Sequence, residues 1–210
     1  LLKERLRKDD DDDVIEACVE GLAQLDALDD EVFNILRDRI DDDNALVRRE
    51  VVRYLTKFAP THRKDIIPLL KERLRKDDDD DVIEACVEGL AQLDALDDEV
   101  FNILRDRIDD DNALVRREVV RYLTKFAPTH RKDIIPLLKE RLRKDDDDDV
   151  IEACVEGLAQ LDALDDEVFN ILRDRIDDDN ALVRREVVRY LTKFAPTHRK
   201  DIIPLLKERL

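Results

Sequence analysis

The sequence has no tryptophan and no methionine, and its 210 residues include only three glycines, three cysteines, three histidines, three tyrosines and six phenylalanines. Three glycines cannot build the glycine-rich loops that cradle nucleotide phosphates. An odd number of cysteines, Cys18, Cys86 and Cys154, spaced 68 apart, supports neither a disulfide framework nor paired zinc ligands. Each cysteine falls among apolar residues at helical spacing and reads as a small buried hydrophobe. That usage fits a soluble chain in a reducing compartment. The longest apolar run is five residues, Ile66–Leu70 with Pro68 inside it, too short for a transmembrane span or a signal sequence. Positive charge is outnumbered, 38 basic against 55 acidic residues, for a net charge of −17. A field of that sign repels phosphate backbones and anionic lipid, so neither nucleic acid nor a membrane surface is expected as a partner. Each histidine (His62, His130, His198) stands in a charged segment just before an arginine. No nucleophile, acid and base are spaced to meet. No catalytic residue, cofactor or metal site is assigned, and the reading is not an enzyme.

What the chain does have is repetition. Residues 69–136 repeat residues 1–68 letter for letter, residues 137–204 do so again, and Leu205–Leu210 begin a fourth copy. Copies that evolve independently diverge, so the array was either assembled or duplicated very recently. The absence of any unique sequence favours assembly. Charged residues are 44% and hydrophobic residues 43% of the chain, the profile of long amphipathic helices.

The apolar spacing within one copy predicts four helices. Val14, Cys18, Leu22 and Leu25 form the stripe of the first, begun by the run Asp9–Asp13, whose carboxylates suit a helix N-terminus. A link at Asp26–Asp29 leads to a second helix over Asp30–Ile40, with Val32, Phe33, Leu36 and Ile40 inward. Asp41–Asn44 start a third, over Ala45–Phe58, with Val47, Val51, Leu55 and Phe58 inward. Pro60 and Thr61 stop the chain, and a fourth helix, Arg63–Lys76, carries Ile66, Ile67, Leu70 and Leu74, its entry bent by Pro68. Gly21 is expected to make room for a neighbouring ring, because Tyr54 stands 33 residues later. The same shift lays Val14 on Val47, Cys18 on Val51 and Leu22 on Leu55. A copy is thus two related hairpins of about 34 residues, neither able to cover its stripe alone.

These residues resemble HEAT repeats. Val47-Arg48-x-x-Val51-x-x-x-Leu55, with Asp42 five residues earlier, follows the family's second helix, and Ile66-Ile67-Pro68-Leu69-Leu70 is similar to its first. In the other hairpin Asp9, Val14, Cys18 and Leu22 match, but Ile15 replaces the arginine. The Asp–Arg ladder that the resemblance implies is therefore expected in alternate hairpins only. The implied fold is an all-α solenoid of antiparallel hairpins, about twelve helices plus a terminal partial one, over residues 1–210, superhelical or ring-forming. The implied role is a scaffold or docking surface. Some HEAT-like hydroxylases use His-Glu metal pairs, a pattern these histidines do not follow.

The 33-residue shift also sets acidic ribs against basic ones. Glu16 falls on Arg49, Glu20 on Arg53, and Gln24 on Lys57. The second copy repeats this with Glu84 and Glu88 against Arg117, Arg121 and Lys125. The third repeats it with Glu152 and Glu156 against Arg185, Arg189 and Lys193. Lateral ion pairs between these ribs are expected, each contributing about 0.2–1 kcal/mol. The alternative is a concave-face stripe that docks an acidic peptide or protein. The acidic runs Asp9–Asp13 and Asp41–Asp43 are expected on one edge, with Asp26–Asp30 and Pro60–Lys64 on the other. Neither end shows a polar cap. The chain is therefore expected to associate with itself head to tail, as a ring or a filament.

Overall fold

The computed structural model describes residues 1–208. Among them the chain forms thirteen α-helices, three one-turn 3-10 helices and no strand. The α-helices are α1 (Leu2–Lys8), α2 (Asp12–Gln24), α3 (Asp30–Asp38), α4 (Ala45–Leu55), α5 (Ala59–Lys76), α6 (Asp80–Gln92), α7 (Asp98–Asp106), α8 (Ala113–Leu123), α9 (Ala127–Lys144), α10 (Asp148–Gln160), α11 (Asp166–Asp174), α12 (Ala181–Leu191) and α13 (Ala195–Lys207). The element count differs slightly from the one expected, because each third helix ends at Leu55 or its copy and tightens into a 3-10 turn, Thr56–Phe58. The fourth copy's last residues, Arg209 and Leu210, lie outside the described residues.

Aspartates start the helices, as their positions suggest. Asp11 accepts from the Val14 amide at 3.1 Å, Asp29 from Val32 at 3.1 Å, and Asn44 from Leu46 at 3.0 Å. Each capped amide is one the helix cannot satisfy itself. The first-turn acids Asp12 and Asp13 add charge where the helix dipole is positive. α2 closes with the Ala27 amide reaching back to the Leu22 carbonyl and Asp26 in the left-handed region (φ 53°), a position that usually takes glycine. The fourth helix begins earlier than expected. Pro60 sits in the first turn of α5, where it costs no backbone bond, and the chain is bent at His62 (φ −116°, ψ 15°). α5 continues through Pro68, so the bend falls at His62 and not at the proline.

By its internal contacts the chain divides into two units, Leu1–Ile103 and Leu104–Leu210, with the division inside α7. In the first, α2, α4 and α6 pack side by side as one layer. α1 and α5 cover α2 and α6 from a second layer, and α3 packs on both α1 and α4. In the second unit, α8, α10 and α12 form the corresponding layer. There α9 packs on α10, α11 on α9 and α12, and α13 on α12. The expected stripes face the core: Val47, Val51, Leu55, Ile66, Leu70 and Leu74 are fully buried. Three expected stripe residues depart from this: Ile67 and Val14 are half-buried, and Leu25 is exposed in the first copy.

Candidate functional site

The charged ribs lie on the layer made by α2, α4 and α6, and again on α8, α10 and α12. In the first copy the arginines pair otherwise than the 33-residue shift suggests. Arg49 sits 3.4 Å from Asp12 and 3.6 Å from Asp81, one turn nearer the helix N-termini than Glu16. The tilt of helical side chains toward the N-terminus, with the length of arginine, accounts for that displacement. Arg53 turns to Glu50 at 2.9 Å, and Arg49 shares the same oxygen at 3.1 Å. Arg117 and Arg121 meet Glu118 in the same way, at 3.1 and 2.8 Å. In the third copy an expected pair forms, Arg189 to Glu152 at 3.0 Å, while Arg185 goes to Asp148 at 3.1 Å. Lys57, Lys125 and Lys193 stand over the rings of Tyr54, Tyr122 and Tyr190 at 4.3, 4.2 and 4.4 Å. Glu20, Glu88 and Glu156 remain exposed along the ribs. The cations of the docking stripe are thus engaged by the chain's own carboxylates and rings.

Glu50, 3% exposed, is the residue that the sequence reading missed. The signal was present: the 33-residue shift lays Glu50 on Ala17, a residue whose copies Ala85 and Ala153 are buried. One of its oxygens serves both arginines, and the other is buried without a hydrogen-bond partner, as in Glu118. Beside these groups a groove of about 380 Å³ runs between α2, α4 and α6, lined by Glu16, Glu20, Arg53, Tyr54, Lys57 and Glu88 among others.

At the edge carrying the acidic runs, Arg48 grips the fully buried Asp77 through two hydrogen bonds of 2.9 and 2.8 Å and also donates to the carbonyls of Asp42 and Asp43. Arg116 holds Asp145 in the same way. The ladder occurs at Arg48 and Arg116, while Ile15 and Ile83, at the matching place of the other hairpin, are wholly buried in apolar surroundings. Arg73 adds a close charge, its Nε 2.6 Å from Asp77 but not aligned to donate. In the run Asp77–Asp81, Asp77 is this anchor and Asp79 is the cap, so the acids have structural work to do. No group of three His, Cys, Asp or Glu among the described residues is arranged to hold a metal ion.

The opposite edge joins the outer helices. His62 stacks on Phe33 at 3.8 Å, with Nε2 3.1 Å from Asp30, and His198 repeats this on Phe169. Across the junction between copies, Lys71 bridges Asp97 and Glu99 at 2.7 Å each, and Arg75 also meets Glu99. Lys139 bridges Asp165 and Glu167, and Lys3 bridges Asp29 and Glu31. Burial pushes the Asp97 carboxyl up, but Lys71 and the Val100 amide outweigh it, leaving the group below its ordinary range. Lys71 and Arg75 lower Glu99 likewise. Groups lowered in the folded state stabilise it above the ordinary carboxylate range, and that contribution is lost as pH falls through their folded values.

Identical residues at unequal positions show what the junctions cover. Leu25 is 69% exposed, whereas its copies Leu93 and Leu161 are 6% and 5% exposed. Arg63 donates to the Leu93 carbonyl at 2.6 Å, and Arg131 to that of Leu161 at 2.6 Å. A Cβ on Gly89 would meet Leu70 Cδ1 at 2.9 Å and Thr56 Cγ2 at 3.1 Å, so this glycine admits a leucine and a threonine rather than a ring. At the other end, Val188 and Leu206 are half-buried, where Val52, Val120, Leu70 and Leu138 are fully buried.

Two layers of stacked helical hairpins with these junctions define an all-α repeat solenoid. The chain belongs to the HEAT-repeat family, whose sequence model matches residues 1–91, 67–159 and 135–210. Among solved structures it is similar in fold to YibA of Escherichia coli, at 18% identity and a TM-score of 0.63, over 95% of this chain and 74% of that one. It is also similar to an engineered protein at 18% identity and a TM-score of 0.49, over 91% of this chain and 95% of that one. No curated protein matches. No helix among the described residues is long and apolar enough to cross a membrane.

Proposed function

We propose that this HEAT-repeat chain is an assembled, non-catalytic structural scaffold whose two end faces join copies head to tail. Identity of the three copies supports assembly over descent. The observation that carries association is Leu25: the same side chain is 69% exposed here and almost wholly covered in Leu93 and Leu161. At those copies Arg63 or Arg131, near the start of the preceding outer helix, donates to the leucine carbonyl, and Thr56 or Thr124 of the 3-10 turn lies against Gly89 or Gly157 one turn earlier. The last such segment, Thr192–Ile203, carries the same residues, with Arg199 and Thr192 exposed. Burying one leucine is worth about 1.5–3 kcal/mol. The interface is heterologous, which closes to a ring or runs on as a filament.

Light scattering over a wide concentration range tests this reading. Mass should rise with concentration in whole multiples of the chain, and Leu25→Lys should hold it at one. A single mass at every concentration would overturn it.

A further inference from the structure

The two end faces are not simple halves of a junction, because both carry the same piece of it. Leu1–Leu6 and Leu205–Leu210 are the same six residues, and both are copies of Leu69–Leu74 in the middle of α5. At the internal junction α5 is one helix with two jobs. Its first part follows the 3-10 turn and sends Arg63 to the Leu93 carbonyl, and its second part lays Leu70 on Gly89 and sends Lys71 to Asp97 and Glu99. The second junction repeats both jobs, through Arg131 and then Leu138 and Lys139.

At the exposed end of α2 the second job is already done. Leu2 Cδ1 stands 3.3 Å from where a Gly21 Cβ would be, Leu6 is fully buried, and Lys3 grips Asp29 at 2.6 Å and Glu31 at 2.7 Å. Only the first job is vacant there: no threonine covers Gly21, and Leu25 is open. An incoming copy brings the missing parts, Thr192 and Arg199, but its helix α13 runs on beyond Pro204 into a second Leu206 and Lys207. Gly21 has place for one leucine, and Asp29 and Glu31 have one lysine already.

We propose that the terminal segment from Leu205 competes with α1 for a single position on α2, and so acts as a built-in restraint on head-to-tail association. This inference rests on the head-to-tail reading above and deepens it. Of the two rivals the C-terminal one yields. α1 is held by the fully buried Leu6 and by Lys3 on Asp29 and Glu31, whereas Lys207, the counterpart of Lys3, is exposed. Pro204 marks the release point, since it donates no bond back into α13 and the helix is weakest around it. The occupant of the end face is therefore a second copy of this chain, shortened or unwound after Pro204.

Sedimentation velocity on three proteins tests the competition: the 210-residue chain, a chain ending at Pro204, and the full chain carrying Leu206→Glu, which loosens the segment without removing it. The chain ending at Pro204 should reach half-association at a concentration at least tenfold lower than the full chain, and Leu206→Glu should shift it in the same direction. Arg199→Glu in the shortened chain should abolish the gain. If all three proteins associate equally, or the shortened one associates more weakly, competition is overturned while head-to-tail association stands. If none associates, both readings fall.

Discussion

A Cβ added to Gly89 lands against Leu70 and Thr56, side chains held in a packed junction. A Cβ added to Gly21 meets only the end of Leu2, at 3.3 Å, a half-exposed side chain that can turn away. The two glycines have the same sequence neighbours and the same helix around them. Replacing a mid-helix glycine with alanine gains roughly 1 kcal/mol of backbone propensity. Overpacking a filled junction costs about 1–3 kcal/mol. Gly21→Ala is therefore expected to stabilise the chain by up to about 1 kcal/mol, and Gly89→Ala to destabilise it by about 1 kcal/mol. Urea unfolding of the two variants measures the difference. Equal shifts of the same sign would mean that the junction does not discriminate between them. Nothing in the sequence around either glycine distinguishes them; only their neighbours in space do.

Among the elements, the Arg48–Asp77 pair ties the start of α4 to the turn before α6. Asp77 is fully buried and Arg48 is 8% exposed, so removing one partner strands a charge without water. Asp77→Ala should cost about 3–5 kcal/mol, whereas Arg48→Ile with Asp77→Ala should fall within about 1–2 kcal/mol of the parent. Ile15 supports the second expectation, since an isoleucine already fills this place, fully buried, in the other hairpin. A double-mutant cycle in urea reads the coupling, and simple additivity would show that the pair does not act as a unit. The helix faces were legible in the sequence because they depend on spacing, a 3.6-residue stripe and an offset of 33 or 34, whereas the ladder at Arg48 was legible only through the resemblance to HEAT repeats. The rib pairing was not. Spacing put Arg49 and Arg53 beside Glu16 and Glu20, but the nearest acceptor was Glu50, buried in the arginines' own helix. The 3-10 turn at Thr56–Phe58 was invisible to it, because the apolar pattern runs on to Phe58, and the stop read at Pro60 and Thr61 is a continuous helix bent at His62.

For the whole molecule, three identical copies form an internal control in which position is the only variable. Stability in a stacked array comes from each hairpin plus its two neighbours, so a hairpin covered on one side should open more readily than one covered on both. Cys18, Cys86 and Cys154 report this directly. All three are buried, but α2 has α4 alone beside it in its layer, whereas α10 lies between α8 and α12. Burial raises both the Cys18 and the Cys154 thiols above their ordinary value, so neither reacts while closed. A thiol reagent acts on the thiolate of the opened state, where burial no longer holds the proton on either cysteine, so ease of opening decides and favours Cys18. In single-cysteine variants, with alanine at the other two positions, Cys18 should react at least about tenfold faster than Cys154 under native conditions. Equal rates would mean that the array opens as one cooperative body, and the neighbour argument would fail. The same probe bears on assembly: if copies meet head to tail, the incoming segment covers α2, and the Cys18 rate should fall toward that of Cys154 as concentration rises. In the chain ending at Pro204 that fall should begin at lower concentration than in the full chain, because no second leucine then contends for Gly21.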